Sequence, residues 1–386
     1  MPKTLVNIIS REHPLAAYLF IKEHYAEGDN LLFISANENF DCITPLVNCL
    51  KINKELVKRI VLRRDSDIYT YERICRVINS NISKQEEYYV NLAGGTRYMA
   101  LSVQHVFSNY NSKFYYTQTN ENLIVKTIFD NSIYDNDDEI VPIKYKMKLG
   151  EYFDVYGLTH DLGTPKPLIA NEEQTKQLFE MCAKRRLTYS DYKVMEVLRE
   201  KYRNWKYINI EEVENAVSDT MIPIPNLSKF LKNINFEPVE KGILQHGELD
   251  FLTGGWFEEY VYYLIKRNIE PDDIAIGVRI DGCKEIKHDN ELDVSFTKNN
   301  QLFVIECKSG ISSESMFNEI VYKVSALKEV LLGIACHSYI FSLKKDPTNE
   351  LKKIAKYMDV TFCDFDVLTR EDKMKKEIKR MLAIAR

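Results

Sequence analysis

Short apolar runs, LVNII, LLFIS, RIVL and YYVNL, recur through the first third of the chain, and the stretches EHPLAAYLFIKEHY, IYTYERICRVINS and TRYMALSVQHVF among them have helical periodicity. Runs of four or five residues are too short for an ordinary helix, and these are largely apolar rather than strictly alternating. Such strands need cover on both faces, which a parallel sheet made of βαβ units provides. The order of runs therefore predicts an α/β domain. KFYYTQT and ENLIVKT, separated by Asn120, predict an antiparallel hairpin that closes the sheet.

The pattern then changes. DNSIYDNDDE reads as a surface loop. VPIKYKMKLGEYFDVYGL leads out of the domain, and the loop from Gly163 to Pro167 marks a boundary. The middle of the chain is largely helical and fits either helices packed on a following core or a small winged-helix module. From Gly247 a second α/β pattern begins: the helix GGWFEEYVYYLIKRN, the strand IAIGVRIDG and the hairpin ELDVSFTKNNQLFVIECKSG, turning near Asn299-Asn300. The expected division is a first domain at 1–147, a linker at 148–170, and a second domain at 171–386 with a helical lead-in to about 246 and its core at 247–386.

Length and charge narrow the function. At 386 residues two or three domains are expected. No run approaches the roughly 20 apolar residues of a membrane span. The opening MPKTLVNIIS lacks the regions of a signal peptide, and none of the eight cysteines forms a CxxC pair. A cytoplasmic protein with reduced thiols and no membrane partner is expected. The net charge of −5 argues against a protein that merely coats nucleic acid, whereas an enzyme needs only a local basic channel. EDKMKKEIKRMLAIAR, with six Lys/Arg against three Asp/Glu, reads as a solvated amphipathic helix or as a substrate-binding edge.

The second hairpin gathers chemistry. Side chains alternate along a strand, so Glu306 and Lys308 share a face while Cys307 points away. Asp293 lies 13 positions before Glu306 across a tight connection, so it comes beside Glu306. Asp293 and Glu306 are the candidate ligands of a hard cation such as Mg²⁺ or Mn²⁺, and Lys308 can orient water or neutralise developing charge on phosphorus. Glu258, on the preceding helix, would hold the metal or a water, with Glu259 its adjacent competitor. Glu291, two before Asp293, is a further possible ligand. Apolar QLFVI runs straight into Glu306, which distinguishes this ExK from an ordinary exposed pair.

A second candidate site follows YYVNL. In AGGTRYM, Gly94 and Gly95 permit a tight strand-to-helix turn that exposes backbone N–H groups to an anion. Thr96 can donate from the first turn, and Arg97 can reach a phosphate or stack on a base. Ser10-Arg11-Glu12 and Ser35-Ala36-Asn37-Glu38 emerge at the same sheet edge, where parallel sheets bind ligands. Ser10, Arg11, Asn37, Gly94, Gly95, Thr96 and Arg97 form the candidate set. His13 and Tyr98 read as packing residues.

LDV followed by VIECK, after a helix bearing WFEE, resembles the PD-(D/E)xK nuclease superfamily. Asp293, Glu306 and Lys308 match its Asp and ExK positions, with Leu292 where the motif's name has Pro. NLAGGTRYM, in an alternating domain opened by VNIISREHP, resembles a CARF domain, with Arg97 where that family usually has Lys. Together the two resemble the ancillary nucleases of type III CRISPR systems activated by cyclic tetra-adenylate. The resemblance implies a Rossmann-like CARF domain, a largely helical connector and a restriction-endonuclease-like domain. It also implies a homodimer that binds a cyclic oligoadenylate and degrades RNA, DNA or both. A ligand-responsive transcriptional regulator with a degenerate nuclease fold, and a constitutive restriction or repair nuclease, are the alternatives.

Overall fold

The computed structural model describes residues 2–10, 14–36, 42–63, 70–127, 139–163, 166–216, 221–281, 290–309, 314–328, 336–346 and 348–385. In the first sheet, β1 (Thr4–Ile9), β2 (Asn30–Ala36), β3 (Val57–Leu62), β4 (Tyr88–Asn91) and β5 (Ser112–Gln118) run parallel. β6 (Leu123–Thr127) and β7 (Glu139–Pro142) continue it antiparallel, in the order β3-β2-β1-β4-β5-β6-β7. Helices α1 (Pro14–His24), α2 (Ile43–Leu50), α3 (Tyr71–Asn79) and α4 (Arg97–Phe107) cover it. Every residue of β1 is buried. Leu5 and Ile9 pack with α1 and α2, whereas Val6 and Ile8 pack with α3 and α4. Two-sided cover is why the run is apolar at Leu5, Val6, Ile8 and Ile9.

The first part of the span expected to be a linker, 148–170, carries regular structure. It folds into α5 (Leu149–Val155) and β8 (Thr159–His160). Leu149, Tyr152, Phe153 and Val155 are buried because α5 lies in one core with α1 and α2 on one side and Val278, Ile280, Leu292 and Leu302 of the second sheet on the other. Nothing local in the sequence announces that second partner.

The helical segment follows: α6 (Glu172–Ala183), α7 (Tyr189–Val197) continued by a π-helical turn (Leu198–Tyr202), β9 (Tyr207–Asn209), α8 (Ile210–Glu214), α9 (Leu227–Asn233), β10 (Ile243–Gln245) and α10 (His246–Asp250). β9 and β10 form a small antiparallel ribbon. A second π-helical turn (Phe251–Gly255) leads into α11 (Trp256–Ile269). Leu178, Val194, Phe230 and Leu244 share one core with Phe257, Val294 and Phe303, so the segment packs on the second domain. The Phe179 and Tyr260 rings stack at 4.1 Å between α6 and α11.

The second sheet contains β11 (Asp273–Asp281), β12 (Asn290–Lys298), β13 (Gln301–Lys308), β14 (Cys336–Ser342) and β15 (Val360–Cys363) in the order β15-β14-β13-β12-β11-β8. β13, β14 and β15 are parallel and the remaining pairs antiparallel. α12 (Glu314–Leu327), α13 (Glu350–Tyr357), α14 (Phe365–Thr369) and α15 (Glu371–Ile384) complete it. Met374, Ile378 and Met381 bury one stripe of α15, the amphipathic helix expected from its charge pattern. Among the described residues no helix is long and apolar enough to cross a membrane.

The β12–β13 turn is seated on the first domain. Asn299 and Asn300 have φ of 46° and 64°, the conformation of a two-residue hairpin turn that asparagine tolerates. Asn300 Nδ2 donates to Asn122 Oδ1 at 2.7 Å and to the Tyr145 carbonyl at 2.8 Å, and Met147 N donates to Asn300 Oδ1 at 2.9 Å. Gln301 Nε2 donates to the Thr119 carbonyl.

Candidate active site and ligand-binding turn

The end of the hairpin opposite that turn carries the charged groups. β12 pairs Val294 with Ile305, and the same register brings Asp293 beside Glu306. Asp293 Oδ2 accepts from Cys307 N at 2.7 Å. Lys308 Nζ lies 2.7 Å from Glu306 Oε1 and 3.4 Å from Asp293 Oδ2. Asp293 is 9 % exposed and Glu306 4 %, so two carboxylates share one ammonium in a nearly dry setting. Burial, and then the Glu306 charge, push Asp293 up to about 8, against the pull of Lys308. Burial alone would lower Lys308, but Asp293 and Glu306 overcome it and hold it above the usual lysine range.

Glu258 and Glu259 part company on α11. Glu259 is buried, and its two oxygens accept from Ile169 N and Ala170 N at 2.9 Å each, so it anchors the backbone before α6. Glu258 turns to Lys166, whose Nζ is 3.1 Å from Glu258 Oε2 and 2.9 Å from Asp250 Oδ2. Arg203 pairs with the other Asp250 oxygen at 3.0 Å. Burial raises the Glu258 pKa, opposed by Lys166 and aided by Asp250 and Glu291. The Glu258 charge also contributes to raising Asp293. Gly277, φ 59°, lies beneath: a Cβ there would meet Lys166 Cδ at 2.7 Å and Glu291 Oε1 at 3.2 Å. Lys323 on α12 reaches Glu306 Oε1 at 3.7 Å.

Lys166, Asp250, Arg203 and Lys323 were not legible as site residues. They arrive from separate segments: Lys166, Asp250 and Arg203 gather at Glu258, and Lys323 at Glu306, a grouping that only the fold makes. The nearest signal was the loop around Gly163 to Pro167, read as a boundary alone.

The donors suit a hard divalent cation in kind. Among the described residues no three His, Cys, Asp or Glu side chains gather into a cage. Mg²⁺ keeps several waters and substrate oxygens in its shell, so a carboxylate pair is a sufficient protein contribution.

The glycine turn lies at the carboxyl edge of the first sheet. Gly94 and Gly95 have φ of 103° and 62°, and Cβ atoms there would collide with Ile8 O and Ile8 Cγ2. Thr96 caps α4, its Oγ1 accepting from Met99 N at 3.2 Å, while Arg97 opens the helix exposed to solvent. Below the turn Asn91 bridges strands, donating to Asn7 Oδ1 at 3.1 Å and accepting from Ala93 N at 3.2 Å. Among the described residues, Asn7 Nδ2, Ser10 Oγ and Ser35 Oγ are buried without a hydrogen-bond partner. Arg11, His13 and Asn37 lie outside the described residues. Tyr98, expected to pack, is 47 % exposed and only edges the Tyr71 ring at 6.3 Å, because the face of α4 it occupies looks outward.

Residues 4–152 match the family model of the Card1 CARF domain, and residues 246–378 match that of the Card1-like endonuclease domain. Similar solved structures include protein VC1899 from Vibrio cholerae, with a TM-score of 0.75 at 18 % identity over 99 % of both chains. Another is Can2 from Sulfobacillus thermosulfidooxidans in complex with cyclic tetra-adenylate, with a TM-score of 0.70 at 19 % identity over 97 % of this chain and 99 % of that one. A third is a type III CRISPR defence DNA nuclease activated by cyclic oligoadenylate, with a TM-score of 0.53 at 12 % identity over 94 % of this chain and 48 % of that one. No curated protein sequence matches the chain.

Proposed function

We infer, from a chain that joins a Card1 CARF domain to a Card1-like endonuclease domain, a divalent-metal-dependent endonuclease of PD-(D/E)xK type switched on by cyclic tetra-adenylate in CRISPR antiviral defence. The observation that carries the cutting step is the buried meeting of Asp293, Glu306 and Lys308 at one end of a hairpin. The ligand follows from likeness of fold to Can2, whose structure holds cyclic tetra-adenylate. The glycine turn at the carboxyl edge of the first sheet, with Arg97 exposed at the start of α4, supports that reading.

Asp293 and Glu306 would hold Mg²⁺ or Mn²⁺, which when bound polarises a phosphate oxygen and makes hydroxide available near neutral pH. Lys308 is positioned between the two carboxylates to donate to an attacking water and to offset charge growing on phosphorus. Glu258, within electrostatic reach of Asp293, would orient a water. In the sensor, Gly94, Gly95, Thr96 and Arg97 would meet phosphates of the ring, and two copies of the turn would complete a two-fold pocket. Leu101 and Tyr98 of α4, 60 % and 47 % exposed, offer apolar surface beside the turn for a second copy.

The test is incubation of purified protein with labelled RNA and DNA, Mg²⁺ or Mn²⁺, and cyclic oligoadenylates of several ring sizes. Cleavage that needs both metal and ring is the expected result. Equal cutting without any ring would leave a constitutive nuclease, and ring binding with no cutting of either polymer would leave a ligand-responsive regulator.

A further inference from the structure

The helical segment carries a cation that neither site uses. Arg199 lies in the π-helical turn that continues α7. Its Nε donates to the Thr253 carbonyl at 2.8 Å, and Nη2 donates to Ser309 Oγ at 3.3 Å. Thr253 belongs to the turn leading into α11, the helix of Glu258, and Ser309 directly follows Lys308. One guanidinium therefore bridges both elements of the cutting centre while touching none of its carboxylates.

Its partners are both neutral. Among the described residues no carboxylate pairs with Arg199, whereas Arg203, one turn on, is paired with Asp250. A guanidinium has five N–H donors, and these contacts use two. Arg199 is exposed as a residue. Partial burial and the nearby Arg203 charge hold its pKa below the ordinary arginine value. Beyond Ser309, Lys308 and Lys323 continue the positive groups past Glu306. A chain of net charge −5 thus keeps a row of cations beside the carboxylates, in the order Arg203, Arg199, Lys308 and Lys323.

We propose that Arg199 is a phosphate anchor for the nucleic-acid strand, gripping a backbone phosphate adjacent to the scissile one, so that the helical segment forms one wall of the substrate groove. A planar fork pre-set by two neutral hydrogen bonds, with donors to spare and no acidic partner among the described residues, matches the two non-bridging oxygens of a singly charged phosphodiester better than it matches solvent. The proposal rests on the nuclease reading for the identity of the strand.

The experiment measures binding of fluorescein-labelled RNA and DNA oligonucleotides to the full chain by anisotropy, with cyclic tetra-adenylate present and Ca²⁺ in place of Mg²⁺, across a salt series. Arg199→Ala should weaken binding about tenfold or more, the loss of one charge-assisted contact. The slope of log affinity against log salt should fall by about 0.7 to 0.9, the signature of one phosphate contact. Arg199→Lys keeps the charge and loses the fork, so it should retain the slope with intermediate affinity. In Mg²⁺, KM should rise more than kcat falls, while cyclic tetra-adenylate affinity and melting temperature stay those of the parent protein. Unchanged affinity and slope in Arg199→Ala overturn the anchor, as does a fall in kcat alone, which would make Arg199 a positioning residue acting through Ser309. Should Arg199→Ala lower the melting temperature, the Arg199→Lys slope and affinity decide. Binding sensitive to Arg199 in a protein that never cuts leaves the anchor standing and removes the nuclease reading. A parent protein that binds neither polymer removes both.

Discussion

Asp293 and Glu306 are costly residues to bury, and the Lys308 ammonium, the Cys307 N–H and the raised pKa of Asp293 make the pair tolerable. Glu306→Gln keeps the size and one acceptor oxygen but removes the charge that holds a divalent cation, so cleavage should be abolished with activator affinity unchanged. Lys308→Ala should also stop turnover while metal binding persists, a loss on the order of a hundredfold or more in rate. Endonuclease rates beside ligand affinities check both, and near-parental cutting by the two variants would reduce the hairpin to a charged surface. The neighbours Glu258 and Glu259 should separate cleanly. Glu259→Ala strands two buried N–H groups and should cost about 2 to 4 kcal/mol of stability. Glu258→Ala should instead lower the cutting rate with little change in melting, and the opposite pattern would reverse their roles. His337 makes a pH prediction. Burial, and then Lys328, lower its pKa to about 4, with Asp359 acting the other way. The unfolded histidine titrates near 6.5, so below that pH the unfolded chain takes up a proton that the folded one refuses. Stability is full above about pH 6.5 and falls by up to about 3 kcal/mol as pH drops toward 4. Melting of the parent and His337→Gln proteins at about pH 7.5 and about pH 5 reads this out, and an identical acid dependence in the two would refute it.

At the scale of elements, the two turns that matter are set by conformations few residues accept. The GGT turn needs positive φ at both glycines and has no room for a Cβ. Thr96 is more than a ligand candidate here, since its cap on Met99 N means Thr96→Ala should cost about 0.5 to 2 kcal/mol in addition to any effect on the activator. Arg97→Ala is therefore the cleaner probe: cyclic tetra-adenylate should bind more weakly at an unchanged melting temperature, and full affinity would show that this turn does not hold the ring. Strands were the most legible elements, because LVNII or QLFVI can be buried on both faces only in a covered sheet. Asp293, Glu306 and Lys308 were legible for a related reason, since period-two geometry and a tight turn fix their meeting. Lys166 and Arg199 were not. Lys166 meets Glu258 and Arg199 meets Ser309, each from a different fold segment, and an isolated lysine or arginine carries no local sign of such a destination. α5 was missed likewise, because its four buried residues find partners in a sheet more than a hundred positions further on.

For the whole molecule, a pocket completed by two copies of the glycine turn requires both copies to be present before the ring binds. The protein should be a dimer in light scattering without activator, and a monomer both free and with cyclic tetra-adenylate would remove the basis for coupling sensor to cutter. The core that unites α1, α2 and α5 with Val278, Leu292 and Leu302 gives that coupling its material. So do the hydrogen bonds from Asn300 to Asn122 and the Tyr145 carbonyl. Because that core belongs to both halves, they are not interchangeable cartridges. A recombination event, or an engineer, that grafted this sensor onto another cutter would have to carry the hairpin turn and its sheet face along with it. Sensor and cutter in this lineage should therefore have been inherited together, their shared seam changing on both sides at once.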